Sequence, residues 1–125
     1  MSRPANANGH QRRQIIKRVR AEETHCYLCD QPVDKTLGMI PGRHGAKCDS
    51  SDCEGCIPDP MRGEVDEVVP RARGGSPLQR SNVQLAHRTC NQIKSDRSAE
   101  EARAIIANRA AVAAVTAAPV TLVDW

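Results

Sequence analysis

Six cysteines and two of the four histidines stand at metal-ligand spacings in this chain. Cys26-x-x-Cys29 and His87-x-x-Cys90 together supply three thiols and an imidazole, the ligand types that tetrahedral Zn2+ prefers. A knuckle followed much later by a pair at a helix start is a zinc-ribbon or treble-clef arrangement. His44, Cys48, Cys53 and Cys56 could close a second zinc site. A disulfide within that segment, a three-cysteine site completed by Asp49 or Asp52, and an unstructured loop are the alternatives. Three cysteines leave no complete disulfide pairing, which favours metal. A different chemistry is available at Asp66-Glu67 and at Asn91, which follows Cys90 directly. Carboxylate and amide oxygens suit a hard divalent ion such as Mg2+ or Mn2+, which keeps water positions open for a substrate. Such an ion neutralises charge at a phosphate and stabilises a leaving oxygen.

These residues need elements to position them. Residues 1–10 are polar and Asn-rich and read as a disordered N-terminus. Gln11 to Glu23 reads as a basic helix with a narrow stripe of Ile15, Ile16 and Val19. Residues 33–61 form a Gly-, Pro- and Cys-rich insert, too long for a plain loop unless something stabilises it. A hairpin should run from about Glu64 to Leu85, turning at Gly74-Gly75. A helix should start near Arg88, break around Ser95 and restart at Ser98, where Ser98-x-x-Glu101 is a capping-box pattern. The Ala-rich stretch after it favours helix through residue 118, and 119–125 is a tail. That tail, ending Leu122-Val123-Asp124-Trp125, could cover the core or dock on a partner.

Composition explains why metal is needed. The chain has 125 residues, no Phe, one Tyr and one Trp, so it lacks the side chains that usually dominate core burial. No apolar signal segment or membrane-length run is visible, and the cysteine spacings suit zinc better than disulfides, which points to a reducing compartment such as the cytoplasm, or a host cytoplasm if the chain is phage-encoded. Net charge is only +3, but it is unevenly spread. Six bases and no acid precede Glu22, seven acids face one base from Asp49 to Glu67, and six bases face one acid from Pro70 to Arg97. An acidic middle with basic flanks suits cations in the centre and phosphates around them.

The segments CYLC, DEVVP, RGGSP, NVQL and HRTCN, in this order from Arg13 to Arg97, resemble the HNH nucleases. The resemblance implies an α+β fold with a ββα-metal core and a structural zinc on Cys26, Cys29, His87 and Cys90. It implies that Asp66 and Asn91 hold the catalytic cation and that Asn82 braces the hairpin loop. The family's usual general base is a His, and Glu67 stands in that position. Glu67 may be read as the base, as an extra metal ligand, or as the mark of a lost activity. A carboxylate is a weaker base than imidazole, but Asp66, Asn82 and Asn91 are all present, which favours the active reading. The resemblance further implies DNA as substrate, cut with low sequence specificity. Arg71, Arg73, Lys94 and Arg97 are candidates for phosphate contact. Small free-standing members occur in phages and bacteria, some beside DNA-packaging machinery, so a terminase is a candidate partner. The oligomeric state is left open. Two other classes stand beside this one: a non-catalytic zinc-finger DNA-binding or adaptor protein, and a redox-sensing thiol protein.

Overall fold

The computed structural model describes residues 6–117, so the tail and its expected docking lie outside it. The element order is α1 (Asn6–Glu22), β1 (Gly63–Glu67), β2 (Val83–His87), α2 (Arg88–Lys94) and α3 (Ala99–Ala117). β1 and β2 pair antiparallel, with Gly63 opposite His87, Asp66 opposite Gln84 and Glu67 opposite Val83. This is a small α+β fold consistent with an HNH-like core.

Helix α1 begins at Asn6, inside the stretch expected to be disordered. The tertiary contact near this end is made by Arg12, whose Nη1 donates to the Pro77 carbonyl at 2.8 Å and ties the helix to the loop between the strands. Ile15 and Val19, one turn apart, face inward, while Arg18 pairs with Glu22 at 3.1 Å on the solvent side. The core gathers Ile15, Val19, Leu28, Val33, Val83, Leu85, Ala86 and Ala102 with the buried Cys26 and Cys90. All its apolar members are aliphatic, worth about 1.5–3 kcal/mol for each large side chain buried.

A two-stranded hairpin is marginal alone. Here the outer edge of β2 is closed at Leu85: its carbonyl accepts from the Tyr27 amide at 2.9 Å, and its amide donates to Glu23 Oε1 at 3.0 Å. The connection between the strands is a loop of two single 3-10 turns, Arg71–Arg73 and Arg80–Asn82, with the expected Gly74-Gly75 turn directly after the first. Gly74 ends the first in the left-handed region, at φ 90°. A Cβ on Gly75 would fall 1.7 Å from the Val69 carbonyl oxygen, so only glycine fits there.

The insert folds on itself. Ile40 and Ile57, Gly42 and Glu54, and Arg43 and Cys56 are joined by backbone hydrogen bonds of 2.8, 2.7 and 2.9 Å. Its last carbonyls then serve the next helix: the Arg88 and Thr89 amides, orphaned at the start of α2, donate to Arg62 and Pro60 at 2.9 and 2.8 Å. Ser95 takes φ 48° and ends α2, where the break was expected. Ser98 Oγ accepts from the Glu101 amide at 3.1 Å, while the Glu101 carboxylate takes the hydroxyl proton at 3.2 Å instead of closing the reciprocal half of the box. Helix α3 buries only Ala102 and is tied to the knuckle by Arg103, which pairs with Asp30 at 2.6 Å and donates to the Tyr27 carbonyl.

Candidate active site and metal centres

Cys26 and Cys29 come from the knuckle, His87 from the end of β2 and Cys90 from the first turn of α2. Their ligand atoms all lie within 4.8 Å of one another. His87 Nε2 is 3.0 Å from the Pro32 carbonyl, which can only accept, so Nε2 carries the proton. The Nδ1 lone pair then faces the cysteines, 3.3 Å from Cys29 Sγ, as it does in a histidine that binds zinc through one nitrogen and donates through the other. The Cys90 thiol, hydrogen-bonded to Cys26, pulls Cys26 down to about 4, and the same contact pushes Cys90 up. Thiols this crowded can share protons or share a cation, and the donor set fits tetrahedral Zn2+.

His44, Cys48, Cys53 and Cys56 also bring their ligand atoms within 4.8 Å, with His44 Nδ1 3.6 Å from Cys48 Sγ. His44, and neither Asp49 nor Asp52, completes this group. The Gly45 amide donates to Cys56 Sγ at 3.3 Å and lowers that thiol. All six cysteines are free, so neither group is a disulfide. This second group could also hold zinc, and it sits on the surface. Elemental analysis is expected to return two zinc per chain, falling to one in Cys53→Ser without loss of the cooperative melt, because none of the four residues of this group belongs to the main core. One zinc in the unmodified protein would contradict this.

Asp66 and Glu67 are consecutive on β1 and leave the strand on opposite faces. Asp66 meets the α2 side, where Lys94 Nζ lies 3.3 Å from Oδ2 and the Tyr27 hydroxyl donates to the same oxygen. Burial, and then the Asp66 carboxylate, hold the Tyr27 phenol above its usual range, so it stays a donor. Glu67 meets the α1 side, where Arg71 Nε and Arg12 Nη2 stand 3.0 and 3.8 Å from Oε1. Both carboxylates line an open cleft of about 190 Å³ with Arg12, Val65, Pro70, Lys94 and Ser95.

Asn91, expected beside Asp66, donates to Glu64 Oε2 at 3.3 Å instead. Glu64 precedes Asp66 by two residues and shares its face, a spacing that could have marked it from the sequence. Burial raises the Glu64 carboxyl, but hydrogen bonds from Arg88, Asn91 and Arg62 outweigh that and hold it below the usual range. Asn82 does brace the loop: its Oδ1 accepts from the Val69 amide at 2.9 Å, and its Nδ2 donates to the Val69 and Ser76 carbonyls, both at 3.0 Å. Asn82→Ala should cost roughly 2 kcal/mol from these three bonds, read as a lower urea midpoint.

Of the phosphate-contact candidates, Arg71, Arg73 and Arg97 are exposed. Arg97 also donates to the Ile93 carbonyl at 2.6 Å. Lys94 is different: it is 0 % exposed, and its ammonium is spent on Asp66 and, at 2.9 Å, on the Glu67 carbonyl. One turn after the buried Cys90, it points inward for the same helical reason. Arg12, whose place on α1 gives no local signal of it, also lines the cleft.

No described helix is long and apolar enough to cross a membrane. No curated protein and no solved structure matches the chain. A family model, HNH endonuclease, matches residues 46–97. That stretch holds the insert cysteines, both strands and α2, and it omits Cys26 and Cys29, which the fold brings to His87 and Cys90. Over residues 46–97, rather less than half of its length, the chain is thus similar to the HNH endonuclease family.

Proposed function

We propose that the chain is a metal-dependent DNA endonuclease of low sequence specificity. The observation that carries this reading is the cleft at the end of β1, where Asp66 and Glu67 meet on a hairpin clamped by a zinc-type ligand set. Asp66 fits as the ligand of a Mg2+ or Mn2+ ion, with Asn91 and Glu64 as further oxygen donors on the same face. When bound, that ion supplies charge neutralisation at the phosphate and stabilisation of the leaving 3′ oxygen.

Glu67 is the base in this reading. Its free Oε2 takes a proton from water as the water oxygen bonds to phosphorus and the bond to the 3′ oxygen breaks. The leaving 3′ oxygen takes a proton from solvent, and the products are a 5′-phosphate and a 3′-hydroxyl. Arg12 and Arg71, which face Glu67 in the free protein, are placed to receive phosphate oxygens. Mapping the ends from a nicked plasmid tests this: scattered positions with 5′-phosphates support it, and a single recurrent sequence or 3′-phosphates would overturn it.

One observation favours the binding-module alternative. Glu67 Oε1 is already held by Arg71, and Asn91 is turned to Glu64, so the site as it stands is engaged with itself. That alternative predicts salt-sensitive DNA binding with no cleavage.

A further inference from the structure

We infer that Tyr27 and Lys94 are positioning residues that fix how Asp66 meets its cation and that link the zinc knuckle to the cation centre. The inference rests on the cation reading above and adds the residues that control it. Tyr27 is the only tyrosine of the chain and lies between the two knuckle cysteines. Its amide donates to the Leu85 carbonyl at 2.9 Å, and its own carbonyl accepts from Arg103. Its backbone is therefore held by β2 on one side and α3 on the other, and its hydroxyl reaches Asp66 Oδ2.

Lys94 arrives at the same oxygen from α2, 3.3 Å away. A fully buried ammonium is costly unless paired and hydrogen-bonded, and here Asp66 and the Glu67 carbonyl meet that need. Both donors act on Oδ2, while Oδ1 has no hydrogen-bond partner among the described residues.

Two donors on one oxygen have two consequences. They stop the carboxylate from rotating, so Oδ1 alone is offered and ligation is through a single oxygen. They also withdraw charge from the carboxylate, and the Lys94 ammonium opposes a nearby divalent ion directly. The site is thereby set to bind its cation weakly and in one orientation, leaving positions open for water and phosphate. Because Tyr27 stands between Cys26 and Cys29, zinc at the knuckle governs the aim of Asp66 without touching it.

The test uses Mn2+ binding to the zinc-loaded full chain, followed by electron paramagnetic resonance, beside plasmid nicking at saturating Mn2+. Removing either donor should tighten Mn2+ binding, about tenfold for Lys94→Met and about threefold for Tyr27→Phe. Turnover should fall in both, since the carboxylate is no longer aimed. Tighter binding with slower turnover is a split that mere structural damage does not produce. Tyr27→Phe carries the test even if Lys94→Met fails to fold. Unchanged or weaker Mn2+ affinity in Tyr27→Phe, with zinc content intact and the unmodified protein active, overturns the inference and leaves the nuclease reading standing. Mn2+ binding unaltered in Asp66→Asn would place the ion elsewhere, and the cation reading would fail and take the inference with it.

Discussion

Cys90→Ser is expected to abolish the cooperative fold. The described core is built from residues no larger than leucine and isoleucine, around a two-stranded sheet. Native domains retain a net stability of only about 5–15 kcal/mol. Structural zinc contributes roughly 10–16 kcal/mol in small metal-folded domains at neutral pH, enough to exceed that whole margin. Cys90 joins α2 to the knuckle, and His87, three residues earlier, ends β2. Losing this one ligand therefore releases the hairpin from the helix and from Tyr27 together. The measurement is thermal unfolding by circular dichroism beside zinc content. A strong chelator should reproduce the variant in the unmodified protein. A sharp melt in Cys90→Ser at the original temperature would show that the aliphatic core suffices without metal.

Asp66→Asn and Glu67→Ala should both silence cleavage while leaving the fold in place. For a positioned general base the loss is on the order of 10²–10⁴ in rate, so Glu67→Ala should fall in that range. Asp66→Asn should lose at least as much, since the amide is a poorer ligand for a hard cation. The two roles open to Glu67 separate on metal dependence. If Glu67 takes the proton, excess Mn2+ leaves Glu67→Ala inactive. If it is a ligand, excess Mn2+ restores much of the rate. Asp66→Asn also leaves the buried Lys94 ammonium without its carboxylate, so its melting temperature should drop, whereas Glu67 stands between exposed Arg71 and half-buried Arg12 and its loss should barely move the melt.

The two Cys/His groups were legible because ligand spacing is a local pattern: Cys26-x-x-Cys29 meets His87-x-x-Cys90, and the four residues of the insert group come together likewise. The helix break at Ser95 and the cap at Ser98 were legible for the same reason. What failed were inferences needing two distant segments at once. Helix α1 starts at Asn6 and is tied to the distant loop through Arg12 and the Pro77 carbonyl, a long-range contact. The partners of Asp66, namely Tyr27 from the knuckle and Lys94 from α2, meet only through the tertiary fold. Lys94 stands one helical turn past Asn91, a place that suits a phosphate contact, yet it is buried. The helical repeat from Cys90 to Lys94 held the contrary signal, since a residue one turn from a zinc ligand shares its inward face. Glu64 was likewise recoverable from its two-residue spacing to Asp66 on a strand.

The most direct test of the central claim is conversion of supercoiled plasmid by the zinc-loaded protein in EDTA, Mg2+, Mn2+ or Zn2+, beside Asn91→Ala and Glu67→Ala. The account predicts nicking in Mg2+ or Mn2+, none in EDTA, and loss in both variants with zinc content unchanged. No cleavage in any metal, with zinc retained and DNA still bound, would contradict it and establish the chain as a zinc-stapled DNA-binding module.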